Sequence, residues 1–149
     1  MRVRVRKIEK QLEEIVDIQC HEVTEEVHDI VHFVKSRQGQ LSGTKDERQY
    51  EIAVVDVYYI EAIDNKAFIY CAKDVYETKE KLYMLEKELE DKSFLRVSKS
   101  ILLNLMKVKA IKPGFNSRFI AILQNGEEVM ISRKYVPALR EKLAGGKHS

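Results

Sequence analysis

The chain has 149 residues, 44% of them apolar and 34% charged, with a net charge of +2. That length suits one domain, or one domain with a small N-terminal addition, and the apolar share supports a buried core, which excludes a disordered protein. No apolar run approaches the roughly 20 residues of a membrane span, and the N-terminus MRVRVRKIEK is charged without an apolar h-region, so a cytoplasmic protein is expected. The small total hides a split. Residues 93–149 hold eleven basic and three acidic side chains, a net of +8, which leaves −6 for residues 1–92. Segregated charge of this kind points to a positive face on one side of the fold. It is equally compatible with basic residues that decorate a solvated surface and pair with the acidic part.

Residues 2–7 alternate Val3 and Val5 with Arg2, Arg4 and Arg6, the period of a strand with one apolar face. Residues 14–20 (EIVDIQC) alternate more loosely and are the expected partner strand. The three arginines read as the wet face of an edge strand. Thr24 is a plausible N-cap, and Glu25 and Glu26 suit the start of a helix dipole. Val27, Ile30, Val31 and Val34 recur at helical spacing, so an amphipathic helix is expected over residues 24–36. His28 and His32 lie one turn apart beside Glu25, a spacing able to hold a metal. No third ligand is signalled nearby, and solvated histidines are the expectation.

Residues 39–48 (GQLSGTKDER) read as a loop or weak hairpin and as the boundary between an N-terminal addition, 1–45, and a main domain, 46–149. Residues 50–63 read as two short strands broken near Asp56, residues 64–66 as a turn, and residues 67–72 (AFIYCA) as another strand. A turn at Lys73 and Asp74 leads to residues 75–77, completing an antiparallel meander. From Thr78, a candidate N-cap, the period becomes helical, with Leu82, Leu85 and Leu89 on one face and Tyr83 and Met84 as flanking packing residues. From Phe94 short strands return, with a helical turn expected over residues 102–105. Asn125-Gly126 is the strongest hairpin signal. Ser132 is a candidate cap for a last helix over residues 133–143, where Pro137 is tolerated in the first turns. The tail 144–149 is expected to fray.

The sequence holds no Gly-rich phosphate loop, no CxxC, no nucleophile elbow and no Ser/His/Asp set, so no enzyme and no cofactor is expected. Cys20 and Cys71 form no metal-type pair and read as free thiols. What stands out is the run 94–142. Basic and hydroxyl residues occupy the connections between its short strands: Ser98-Lys99-Ser100, Asn116-Ser117-Arg118 and Ser132-Arg133-Lys134. Connections on one side of a sheet can present such groups together to a polyanion backbone.

In order and spacing, several of these pieces resemble the LytTR family of bacterial DNA-binding domains over about residues 48–143. They are Asp56-Val57-Tyr58-Tyr59-Ile60-Glu61, the helix around residues 82–89, Phe94-Leu95-Arg96-Val97-Ser98-Lys99-Ser100 with Asn104 beyond, Asn125-Gly126, and Ile131-Ser132-Arg133-Lys134-Tyr135. The resemblance implies a mainly β fold of short antiparallel sheets with small helices (α+β), here preceded by a strand–strand–helix addition. It implies a transcription regulator that binds double-stranded DNA as a homodimer on paired direct repeats, with loops in successive major grooves. By position the contacts would be Asn65 or Lys66 on the early loop, Lys99 after the strand at Arg96, and Arg133 near the last helix, with Ser98, Ser100, Arg118 and Lys134 completing the expected DNA-binding set. Lys99 and Arg133 have the chemistry to read guanine N7 and O6 or to bind phosphate, Asn65 to read adenine, and Ser98 and Ser100 to anchor phosphates. The chain departs from the family pattern at Ser98, where many members have His, and at Ile101, where many have an aromatic residue.

Family domains are often fused to a receiver. About 45 residues precede the domain here, too few for one, so phosphorylation is not the expected switch. This arrangement resembles short members commonly paired with a small membrane protein that holds them inactive, which makes a membrane-embedded regulatory partner an implication of the resemblance. The N-terminal addition, with Val27, Ile30, Val31, Val34 and the off-stripe Phe33, would serve self-association or that partner. No small-molecule substrate is implied. The competing reading is a protein-interaction or adaptor module that works through sheet edges without specific DNA binding. An RNA-binding protein that stacks bases on Tyr and Phe ranks below it, because most aromatics sit inside apolar runs.

Overall fold

A computed structural model describes residues 1–145. The first helix, α1 (Glu25–Arg37), begins where Thr24 accepts a hydrogen bond from the Val27 amide, and it carries Glu25 and Glu26 in its first turn and Lys35 and Arg37 in its last. Its expected stripe is real: Val27 is buried and Ile30, Val31 and Val34 are half-buried. Gly39, at φ +82°, then turns the chain out of the helix.

Ten strands follow in two antiparallel sheets. They are β1 (Gln40–Lys45), β2 (Arg48–Ala53), β3 (Val57–Ile63), β4 (Lys66–Cys71), β5 (Val75–Thr78), β6 (Phe94–Arg96), β7 (Ile101–Asn104), β8 (Val108–Pro113), β9 (Phe119–Leu123) and β10 (Glu128–Ile131). A short helix, α2 (Leu82–Glu88), joins β5 to β6, and α3 (Val136–Gly145) closes the chain. The larger sheet has the order β2-β1-β5-β4-β3-β7-β6, and the smaller the order β10-β9-β8. The protein is therefore mainly β with small helices, as the resemblance implied.

Alternation along the central strands sends side chains to two separate cores. On one face of the larger sheet Ile60, Ile69 and Leu102 meet Leu82, Leu85 and Leu89 around α2. On the other, Tyr59 and Leu103 meet Ala121, Leu123, Val129 and Ile131 of the smaller sheet, with Val136 and Leu139 from α3. A register shift between Val57 and Tyr59 lets Tyr58 and Tyr59 both serve the second core. Asn104 is the buried polar pin between strands. Its Nδ2 donates to the Val57 carbonyl at 2.8 Å, and its Oδ1 accepts from the Ser93 hydroxyl and the Met106 amide. At Gly43 the backbone of β1 runs so close to β5 that an added Cβ would meet the Tyr76 Cβ at 2.8 Å.

Several local expectations change. Residues 2–7 and 14–20 are not strands; residues 1–23 form neither helix nor strand, and neither segment pairs with another strand. Residues 39–48 form the weak hairpin rather than a loop, with Asp46 and Glu47 at positive φ in its turn. Thr78 is not an N-cap but the last residue of β5, paired with Ala67; α2 starts four residues later, behind Lys81, which makes no side-chain cap bond. Residues 101–104 are strand β7, since pairing with β3 needs Leu102 and Leu103 on opposite faces; a 3₁₀ turn comes only at Leu105–Lys107. Ser132 precedes a 3₁₀ turn, Arg133–Tyr135, and makes no side-chain cap bond. Tyr83 is exposed rather than packed. Most of the expected fraying tail, 146–149, lies outside the described residues. No helix among the described residues is long and apolar enough to cross a membrane.

Candidate nucleic-acid interface

Four connections meet at one end of the two sheets, and backbone hydrogen bonds explain why. The β6–β7 connection, residues 97–100, holds Ser98, Lys99 and Ser100. The Ala62 amide donates to the Ser100 carbonyl at 2.8 Å, which ties this loop to the end of β3 and so to the β3–β4 turn at Asp64 and Asn65. The Ser132 amide donates to the Val97 carbonyl at 2.8 Å, which ties it to Arg133 and Lys134. Phe119 pairs with Ile131, so Arg118 stands beside Ser132 at the next position of the ladder. Asn65, Lys66, Ser98, Lys99, Ser100, Arg118, Arg133 and Lys134 are thus gathered from segments up to 69 positions apart.

Local chemistry fixes the shape of each connection. Asp64 and Asn65 both have positive φ, 48° and 66°, which Asn and Asp tolerate better than other side chains. Asn65 is exposed at the tip. Lys66, at the start of β4, lies 3.5 Å from Glu77 and is largely exposed. In the β6–β7 loop the Ser98 hydroxyl accepts from the Ser100 amide at 3.2 Å. Both serines are half-buried, whereas Lys99 projects into solvent. The β8–β9 connection turns through Asn116 and Ser117, both at positive φ, and the Gly114 amide donates to the Arg118 carbonyl at 2.9 Å.

Arg96 has a role that composition could not assign. Its Nε donates to the Ser98 carbonyl at 2.9 Å, one terminal nitrogen donates to the Lys99 carbonyl, and the other reaches Glu86 on α2 at 2.8 Å. The guanidinium is largely buried and consumed inside the protein. Arg96 therefore shapes the loop that presents Lys99. The planar fork of an arginine aims donors from three separate nitrogens at two carbonyls and a carboxylate in a fixed geometry, whereas a lysine carries all its donors on one nitrogen. The sequence signal was present, since Arg96 stands two residues before Ser98 on a predicted strand, but its direction was not.

The cations fall into two groups. Among the described residues Lys99, Arg118, Arg133 and Lys134 make no ion pair, and all four are exposed. Lys134 lies over the Tyr135 ring at 5.7 Å. Three more are engaged: Lys112 with Glu128 at 3.3 Å, Lys107 over the Tyr58 ring at 5.2 Å, and Arg140 over the Phe119 ring at 5.9 Å; Lys109 on β8 is exposed and makes no ion pair among the described residues. The positive half of the sequence thus contributes a small set of free charges to this end of the fold.

The other candidate, His28 and His32 on α1, behaves differently from the expectation of two solvated histidines. His28 is exposed, but His32 turns inward to Glu80, 3.6 Å away. Burial, and then Lys35 and His28, hold its pKa below the usual histidine value. Among the described residues no group of three or more His, Cys, Asp or Glu side chains is placed to hold a metal ion. Cys20 and Cys71 are free; Cys20 is exposed, and burial pushes the Cys71 thiol up to about 11, which disfavours the thiolate.

Comparison with known proteins places this interface in context. The family model for the LytTr DNA-binding domain matches residues 47–144. The chain is 29% identical over 135 residues to the sensory transduction protein LytT of Bacillus anthracis, covering 91% of this chain and 50% of that protein. It is 33% identical over 98 residues to the protein of the same name from Enterococcus faecalis, covering 66% and 40%. It is 32% identical over 98 residues to the transcriptional regulatory protein YpdB of Escherichia coli K12, covering 65% and 40%. The chain spans about half, or less, of the length of these relatives. Among solved structures, a LytTr DNA-binding domain from Bacillus cereus superposes with a TM-score of 0.67 at 28% identity, over 70% of this chain and 96% of that one.

Proposed function

The chain belongs to the LytTr DNA-binding domain family, and from that premise we propose that it is a transcription regulator that reads double-stranded DNA in the cytoplasm with the loop face described above. The observation that carries the reading is the convergence itself. Two backbone hydrogen bonds and one strand register bring four connections to one end of the fold, and four exposed cations there lack an ion-pair partner among the described residues. Lys99 and Arg133 are assigned to base edges in the major groove, where long cations pair with guanine O6 and N7. Asn65 at its turn tip is assigned to adenine. Lys66, Arg118 and Lys134, with the Ser98 and Ser100 hydroxyls, are assigned to phosphates, which position the protein without carrying sequence information. The protein acts as a homodimer on paired direct repeats, so that two such faces sit on one site.

The test is a salt-dependent titration of the purified chain against DNA from upstream of its own operon and against a scrambled duplex of equal length. A steep salt slope with a preference of roughly 10³ or more for the native DNA supports a specific regulator. A steep slope without preference leaves only a basic surface. Absence of binding at low salt overturns the reading in favour of an adaptor. The surface such an adaptor would use is the exposed edge of β2, where Arg48, Gln49, Tyr50 and Glu51 all face solvent.

A further inference from the structure

Among the described residues, the N-terminal 23 form a long stretch that contributes to neither core. Val3 is 86% exposed, Val5 97%, Ile15 71% and Val16 64%. Single exposed apolar residues are ordinary, but these lie on two segments that each carry a strand period, residues 2–7 and 14–19. Among the described residues the only backbone hydrogen bond that lies within 1–23 is Leu12 N–H to the Glu9 carbonyl, at 3.1 Å. It closes a turn with Lys10 and Gln11 at its centre.

That turn keeps the two segments apart. Two-residue hairpins most often use type I′ or II′ turns, which require positive φ at a central residue, whereas type I and II turns splay the strands. No residue before Gly39 has positive φ. The segments therefore meet in sequence but do not pair within the chain, and each keeps a free edge.

Their charges are opposite. Residues 1–8 hold Arg2, Arg4, Arg6 and Lys7 and no acid; residues 11–20 hold Glu13, Glu14 and Asp17 and no base. One antiparallel register sets Val5 against Val16, Val3 against Ile18 and Lys7 against Glu14 on one face, and Arg4 against Asp17 on the other. Cross-strand pairs of this kind stabilise a ladder, whereas like charges directly opposite oppose it.

We propose that this register forms between two copies of the chain: residues 2–7 of one copy pair with residues 14–19 of the second, and the reverse by two-fold symmetry. The two exchanged ribbons lay their apolar faces (Val3, Val5, Val16, Ile18) on one another and hold two DNA-binding faces together. The inference rests on the dimeric part of the function proposed above and names the surface responsible. It also explains why the strand pattern is present in the sequence and unpaired in the single chain.

The experiment uses two full-length variants, Arg4→Glu/Lys7→Glu and Glu14→Lys/Asp17→Lys, with mass measured by light scattering after size exclusion, without DNA. The wild type is expected at twice the 17.4 kDa chain mass. Each variant alone sets like charges opposite and is expected to weaken dimerisation about tenfold or more. An equimolar mixture restores complementary pairs in both ribbons and is expected to regain the dimer. Thermal unfolding should match the wild type, because these residues lie outside both cores. Three results overturn the proposal: a monomeric wild type, variants that dimerise like the wild type, or variants whose mixture stays monomeric. A monomeric wild type that still prefers its native DNA discards the exchanged strands and leaves the DNA reading standing.

Discussion

The loop face and the α1–α2 interface hold charge in opposite ways. At the loop face the backbone is satisfied from within, chiefly by Arg96, and the cations stand in water. Between α1 and α2 the charges are hidden: Glu80 is 8% exposed and Glu88 9%, and one carboxylate oxygen of each finds no hydrogen-bond partner among the described residues. Burial, then Asp29 and Glu25, push the Glu80 carboxyl up to about 7; burial, then Glu80 and Asp29, do the same for Glu88. Position in the fold decides what a charge can do. An exposed, unpaired cation on a well-made loop is free for a ligand, whereas a buried carboxylate with an unsatisfied oxygen costs stability until it takes up a proton.

The buried pair gives the largest expected effect. Both carboxyls bind protons more tightly when folded than when unfolded, so stability falls as pH rises from about 4.5 to about 7, and the cost is fully present above that window. His32, whose pKa is lowered, acts the other way: its cost appears as pH falls below its usual value. Glu80→Gln and Glu88→Gln mimic the protonated acid. Each is expected to gain on the order of 1–3 kcal/mol at pH 8 and close to nothing at pH 4. Guanidinium midpoints across that range check it, and a wild-type profile as flat as that of the double variant would remove the contrast between the two regions.

On the loop side, Lys99→Ala and Arg133→Ala are each expected to cost ~1–3 kcal/mol of specific DNA affinity if they read bases. A phosphate contact would instead weaken all sequences alike and flatten the salt slope. Unchanged affinity in both variants would discard these assignments. Arg96→Lys sharpens the comparison, because it keeps the charge and loses the fork that holds the Ser98 and Lys99 carbonyls. A loss of about 1–2 kcal/mol in both stability and DNA affinity is expected. An equal loss of DNA affinity at full stability would make Arg96 a direct contact. The smallest effect is at Lys66, whose exposed pair with Glu77 is worth at most about 1 kcal/mol of stability. Lys66→Ala should leave folding unchanged and lower DNA affinity uniformly across sequences.

Much of this molecule was legible in its sequence, because the signals are local. Thr24 with two glutamates after it set the start of α1, and the apolar stripe set its inner face. Asn125-Gly126 placed a tight hairpin, and Gly126 does sit at φ +91°. The basic and hydroxyl residues on the connections could be named because turn residues are marked by type. What failed was what depends on a partner distant in sequence. Residues 102–105 read as a helical turn because a short, mostly apolar stretch carries no clear period, and only β3 alongside makes Ile101–Asn104 strand β7. Residues 2–7 and 14–20 read as strands because their period is right, but a ladder needs a second edge.

The strand meander, the helical stripe and the chemistry of each connection were readable from local sequence, since propensity, period and turn type act within a few residues. Which charges are free depends on the packed fold. The Ser132–Val97 and Ala62–Ser100 hydrogen bonds assemble the loop face, Arg96 is spent in shaping it, and Glu80 and Glu88 are shut away under α1. Solvation and pairing depend on what packs alongside, and that is set by contacts between residues far apart in the chain.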